Sequence, residues 1–312
     1  MTKLLYISAS PYSGTTLLSF LLNTHPDIVT VAHTTGWHFD NDEKFYCSCG
    51  ELIQNCPFYR YIKYNFEKYG LNFQYNNFGT NYTIVENERI NRYLLSKMPF
   101  INDTHIEKLR DHLIYMIPIF KKKLINHDLA NKIFINSAVE YSKADVFVDN
   151  SHNPYRLRQL KRINEFDIFN LHLIRDPRGV ALSNKKHKGW DVKLTTKLWI
   201  NKQNDIYRIS NELPNNILIY YEDLCENVNK TLEIIYNYIG INIVPFDGKY
   251  KTKEHHIIGN DMRLKHDEVK VDKKWRSELS KNEINDINNI LFKYKQNNPN
   301  NSLTEVITYF MR

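Results

Sequence analysis

The sequence predicts an α/β protein: a parallel sheet flanked by helices, with a helical insertion after the second strand. Three observations predict it. Short apolar runs alternate with helical periodicity along most of the 312 residues. A small-residue loop joins the first run to an almost continuously apolar helix. The stretch 57–140 carries helical spacing with almost no strand signal. Strands are expected at 3–8 (KLLYIS), 27–32 (DIVTVA), 145–149 (DVFVD), 168–174 (IFNLHLI) and 216–221 (NILIYY). Helices are expected at 14–23, 57–68, 105–126, 153–163, 177–187, 193–212, 224–239 and 280–294. No linker or repeat divides the chain, so residues 1–312 read as one domain, with 57–140 a lid over the sheet and a wall for a second substrate.

Bulk properties narrow the function. The net charge of +7 suits an anionic partner. No basic run reaches the length of a nucleic-acid arm, and no zinc-finger or RNA-binding signature is present. The longest apolar runs, such as LIYMIPIF (113–120), are too short to span a bilayer. No signal peptide precedes the first strand. A cytoplasmic protein is expected, with no nucleic-acid or membrane partner and with its four cysteines reduced.

The loop after the first strand reads Ala9-Ser10-Pro11-Tyr12-Ser13-Gly14-Thr15-Thr16. Against the Walker pattern G-x-x-x-x-G-K-[ST], Gly14 and Thr16 fit, and Thr15 stands where the lysine belongs. The lysine that reaches the outer phosphates of a nucleoside triphosphate is therefore missing. A glycine, free helix N–H groups and three hydroxyls still suit an anion. Alone, the fragment reads equally as an ordinary helix start. The segment LHLIRDPRGVALS (171–183) supplies a second place. Arg175 follows a strand end, where ligands bind in open α/β sheets, and Ser183 lies two turns into the next helix. Two phosphate sites suggest a nucleotide phosphorylated at two positions.

Together these motifs resemble the sulfotransferases that use 3′-phosphoadenosine 5′-phosphosulfate (PAPS). YSGTTLL resembles their 5′-phosphosulfate loop, and IRDPRGVALS their 3′-phosphate motif. CSCGELIQNCPFY (47–59), VFVDNSHNPYRLRQL (146–160), YYEDL (220–224), HHIIGNDMR (255–263) and KKWRSEL (273–279) resemble further segments of the branch common in bacteria. The resemblance implies a P-loop-like fold related to nucleotide kinases and a donor without a γ-phosphate. It also implies no metal requirement, so the lost lysine is expected. It places Ser13, Gly14, Thr15 and Thr16 on the 5′-phosphosulfate, Arg175 and Ser183 on the 3′-phosphate, and Asn260 and Arg263 in a loop closing over the nucleotide. Tyr221 and Trp199 stand as nucleotide-side aromatics or as core.

Two departures from the family pattern stand out. Tyr12 occupies a place where relatives often carry Lys or Arg; it can donate a hydrogen bond to the leaving phosphate but brings no charge. Where relatives often carry a glutamate base, VTVAHTTGWH offers His33 and then His38. His33 is the expected base, with His38 behind it and His152 a third candidate for the acceptor pocket.

The expected reaction moves the sulfuryl group of PAPS, leaving 3′-phosphoadenosine 5′-phosphate (PAP), to a hydroxyl or to an amine or carbamoyl nitrogen of a small molecule. Likeness to cyanobacterial-type members points to natural-product tailoring, including guanidinium alkaloids of the saxitoxin kind. The competing readings are a small-molecule or nucleotide kinase of related fold and a non-catalytic binding protein. Glu222 and Asp223 are adjacent and make a poor catalytic pair. Cys47, Cys49 and Cys56 lack the usual zinc spacing and a fourth ligand, so a reduced or bridged lid element is expected and no metal. Tyr59, Tyr61, Tyr64, Phe66 and Tyr69 suit either the acceptor pocket or a helical core.

Overall fold

The computed structural model describes residues 1–31, 33–34, 46–98, 103–250, 255 and 269–312. Five strands form one wholly parallel sheet: β1 (Thr2–Ala9), β2 (Ile28–Thr30), β3 (Val146–His152), β4 (Phe166–Ile174) and β5 (Asn216–Tyr220), in the order β2-β3-β1-β4-β5. All five lie where the alternating pattern predicts them. The order reverses on either side of β1, which puts the loop after β1 at the topological switch point where α/β sheets bind ligands. Ser8 is level with His152, and Ala9 with Leu173, so the carboxyl ends of β3, β1 and β4 open into one crevice.

Alternation along β1 splits the core in two. Leu5 and Ile7 face α1 (Thr15–Leu22) and, later in the chain, α9 (Tyr221–Glu226) and α10 (Val228–Ile239). Leu4 and Tyr6 face the insertion, whose helices are α2 (Pro57–Lys68), α3 (Glu88–Leu95), α4 (Thr104–Met116) and α5 (Pro118–Ser142). The expected helix 105–126 is two helices. Pro118 has no N–H to continue α4, and it is well placed as the first residue of α5. Tyr59 and Phe66 are fully buried in the core, while Tyr64 and Tyr69 are exposed.

α6 (Pro154–Lys161) follows β3, α7 (Pro177–Lys188) and α8 (Val192–Ser210) follow β4, and α11 (Trp275–Glu278), α12 (Lys281–Asn297) and α13 (Ser302–Phe310) close the chain. The expected helix 224–239 divides at Asn227 into α9 and α10, and residues 302–310 add α13. α7, α8, α12 and α13 share a core around Trp199, which is therefore packing and not a nucleotide contact. Among the described residues no helix is long and apolar enough to cross a membrane.

Candidate active site

The loop between β1 and α1 has the backbone features an anion cradle needs. Tyr12 and Gly14 both adopt positive φ, +64° and +89°. Ser13 is buried, and its hydroxyl lies 2.7 Å from that of Ser10. Gly14 is the N-cap of α1; no side chain caps the helix, and its first turn carries no acid. The first intrahelical bond is Leu18 N–H to Gly14 C=O. The N–H groups of the first turn thus have no partner within the helix, and the dipole favours an anion there. Asn150 of β3 donates to the Thr15 carbonyl (3.2 Å) and to the Ser19 hydroxyl (2.5 Å), fixing this helix end against the sheet.

Gly14 is required for a second reason. A Cβ there would meet the Tyr221 ring at 2.4 Å. Tyr221 forms the wall of the cradle, a role its position at a strand end left open. Gly14→Ala is expected to cost about 1–3 kcal/mol from the left-handed backbone alone, and more from displacing the ring. Urea denaturation checks it, and an unchanged midpoint would remove the constraint.

Arg175, just past β4, links the two halves of the crevice. Its Nη1 donates to the Tyr12 carbonyl (2.8 Å) and its Nη2 to the Asp272 carboxylate (3.0 Å). The guanidinium lies 4.6 Å from the centre of the Tyr221 ring. Among the described residues its Nε is buried without a hydrogen-bond partner. Gly179 of α7 packs against the guanidinium, since a Cβ there would be 3.1 Å from Nε, and its carbonyl accepts from the Ser183 hydroxyl (3.0 Å). Ser183 is thus brought to Arg175 through Gly179, with its proton already given to the backbone.

Tyr12 departs from the expectation. Its ring stacks on His187 (5.4 Å, 9°), with the Lys188 ammonium 5.7 Å from its centre. The side chain faces the last turn of α7, and its carbonyl is the part tied to Arg175. Lys188 therefore brings a cation beside the loop, which no local motif indicated.

His33 and His152 meet edge to face, with ring centres 4.9 Å apart. His152 Nε2 lies 3.3 Å from the Thr15 hydroxyl, and its Nδ1 is buried without a partner. His152 itself holds φ +61°, an uncommon backbone state for a non-glycine residue. Burial lowers the pKa of both histidines, His152 the more strongly, so both are neutral at pH 7. His38, Asn260 and Arg263 lie outside the described residues.

The position beside His33 is held by a buried hub. Thr34 donates to Asp149 (2.6 Å), as do the Ser151 N–H (2.9 Å) and hydroxyl (2.5 Å) and Arg156 Nε (3.1 Å). Arg156 also donates to the Thr80 carbonyl, the Thr34 hydroxyl and the Asn131 side chain. The Asp149-Asn150-Ser151 segment is thus the joint between β3, the cradle and the insertion.

A cleft of about 1160 Å³ opens beside the histidines. Pro11, His33, His152 and Lys202 line it together with residues from the 81–98 stretch of the insertion. Tyr59, Tyr61, Tyr64, Phe66 and Tyr69 do not line this cleft. Glu86, Glu88, Arg92 and Lys97 bring charge of both signs to a wall that also carries apolar surface. Burial lowers Lys202 to about 8, so it still carries its proton at pH 7.

Glu222 and Asp223 point apart, as expected. Glu222 accepts the Asp176 N–H (3.1 Å) and is raised to about 7 by burial; Asp223 accepts from the Tyr309 hydroxyl (3.3 Å). Cys225 is buried as packing. Cys47, Cys49 and Cys56 are free thiols, and His255 stands among them, supplying the fourth group that the local spacing lacks.

No protein-family model matches the chain, and no curated protein matches it. Solved structures do. The sulfotransferase domain of the Synechococcus PCC 7002 olefin synthase is 16% identical over 92% of this chain and 94% of that domain, with a TM-score of 0.50. The sulfotransferase domain from the curacin biosynthetic pathway is 16% identical over 93% and 98%, at 0.49. A mouse sulfotransferase complexed with PAP is 10% identical over 98% and 88%, at 0.47. At such identities the likeness speaks to architecture, and on the Synechococcus comparison this chain has the fold of a sulfotransferase domain.

Proposed function

We propose that the chain is a PAPS-dependent sulfotransferase acting on a polar small molecule. The observation that carries this reading is the pairing of two anion anchors across one crevice. The uncapped start of α1 is one, and the Arg175 guanidinium, tied to the loop through the Tyr12 carbonyl, is the other. The N–H groups and hydroxyls of residues 13–16 hold the 5′-phosphosulfate. Arg175, with its unpartnered Nε, holds the 3′-phosphate, which competes with Asp272 for the same guanidinium.

Sulfuryl transfer to an oxygen or nitrogen is an in-line attack on sulfur. By analogy with phosphoryl transfer, the protein chiefly positions the reactants and stabilises charge. The acceptor enters the cleft lined by residues 81–98, and neutral His33 takes its proton. His152, anchored at Thr15, orients His33. Lys202 supplies the positive charge that Tyr12 does not. A kinase of related fold lacks support, because Thr15 replaces the Walker lysine. Natural-product tailoring is the biological role we favour, since the mixed-charge cleft suits a polar metabolite better than a lipid.

Arg175→Ala tests the reading. A charge-assisted hydrogen bond to phosphate contributes about 1.5–3 kcal/mol, so PAP binding should weaken by about 10- to 100-fold. Binding of AMP, which lacks the 3′-phosphate, should change little. Equal losses for both nucleotides, measured calorimetrically, would refute the assignment. With wild-type protein, PAPS and polar acceptors, a product gaining one sulfuryl group in mass is the expected result.

A further inference from the structure

The structure brings four metal-ligating groups to one point away from the crevice. Cys47, Cys49, Cys56 and His255 place their ligand atoms within 4.8 Å of one another. Cys49 Sγ lies 3.7 Å from Cys56 Sγ, and His255 Nδ1 lies 3.5 Å from Cys47 Sγ and 3.3 Å from Cys56 Sγ. A tetrahedral zinc ion with bonds of about 2.3 Å to sulfur and about 2.0 Å to nitrogen sets S···S edges near ~3.8 Å and S···N edges near ~3.5 Å. Those three distances match these values, and the remaining pairs lie within 4.8 Å. We propose that Cys47, Cys49, Cys56 and His255 form a structural zinc site.

The surroundings are shaped for such a site. Gly50 adopts φ +94°, and its N–H donates to the Cys47 carbonyl (2.9 Å), so the chain reverses directly after Cys49. The Cys47 N–H donates to the Glu51 carbonyl (2.8 Å), closing the turn. This knuckle brings two sulfurs to one side within three residues. Cys56 is the N-cap of α2, where the helix dipole favours a thiolate.

His255 is held from three sides. Its ring stacks on Phe58 (4.6 Å, 6°) and meets Tyr141 edge-on (6.0 Å, 85°), and its carbonyl accepts from the Tyr59 hydroxyl (2.7 Å). Nδ1 is thereby presented to the sulfurs. Four protein ligands leave no open position, which marks a structural rather than a catalytic zinc.

The ion would cross-link the start of the insertion to a residue 199 positions further on than Cys56. It would thereby pin one end of the chain segment whose other end, at Asp272, meets Arg175. The metal assignment itself stands apart from the sulfotransferase reading, because its test reads metal and not turnover.

The experiment is elemental analysis of the full chain purified without chelator, followed by exchange into cobalt. One zinc per chain is expected, together with the intense visible absorption of tetrahedral Co²⁺ and its thiolate charge-transfer bands. Cys49→Ser, at an exposed position that leaves the core untouched, and His255→Ala should each lose the stoichiometric metal and the cobalt spectrum. Cys225→Ser should keep both. Chelation of the wild type should lower its melting temperature, and zinc should restore it. Metal-free protein that takes up no tetrahedral cobalt, or a bond between two of the three clustered cysteines in freshly purified protein, overturns the proposal.

Discussion

His33→Ala is expected to lower turnover by about 10²- to 10⁴-fold, the range general base catalysis spans, while PAP binding stays at the wild-type level. The cause is local. His33 lines the cleft and packs against His152, and burial lowers its pKa from 6.5, with the Asp149 carboxylate opposing and Arg156 adding to that effect. A base must be neutral to accept a proton. With its pKa lowered by burial, His33 favours the neutral form more than an exposed histidine does.

The acid limb of kcat should therefore lie below pH 6.5 and should vanish from whatever activity the variant retains. Gln at the same position keeps a polar group of similar reach but cannot take the proton, so His33→Gln should resemble Ala. Turnover surviving in either variant would move the base elsewhere. His152 is a poorer substitute, because burial lowers its pKa further and makes it the weaker base, and one ring nitrogen already faces Thr15.

Arg156→Met is expected to destabilise the protein by about 3–5 kcal/mol, because removing one partner strands a buried charge. Asp149 is fully buried and receives four hydrogen bonds, from Thr34, from two groups of Ser151, and from Arg156. Only the last brings a compensating charge. The loss should appear as a lower urea midpoint. Adding Asp149→Leu to the same chain should recover much of the loss, since a buried ion pair replaced as a unit by apolar groups is often close to neutral. A double variant no more stable than the single one would mean that Arg156 acts through its bonds to Thr80, Thr34 and Asn131 and not through the charge. Either variant should also reduce kcat, because Thr34 carries His33 on its neighbouring residue.

Much of the architecture is legible in short stretches of sequence. The strands begin as apolar runs, and several helix starts have a local signal: Pro57, Pro154 and Pro177 at first helical positions, and Asn153, Asp176 and Asp191 as caps. Pro118 ends one helix and opens the next, and Asn301 caps α13, so these departures from the expected helices also rest on local signals. The site was legible wherever its residues lie next to strand ends, as Gly14 and Arg175 do. It was illegible where a contact joins distant segments. Tyr221 gave no sign that it would press on Gly14, nor Lys202 that it would line the cleft of the two histidines from α8.

The order of strands and helices, the glycine cradle, the strand-end arginine and the loss of the Walker lysine are properties of consecutive residues. Backbone sterics, side-chain alternation and helix-end hydrogen bonding act over a few positions, so the sequence alone determines them. Tertiary structure decided which distant groups meet. Arg175 finds the Tyr12 carbonyl 163 residues away, Arg156 finds Thr80, and His255 finds three sulfurs. A lone arginine or histidine has many possible partners in a sequence. The closing of the parallel sheet, with its long crossovers, is what selects one of them.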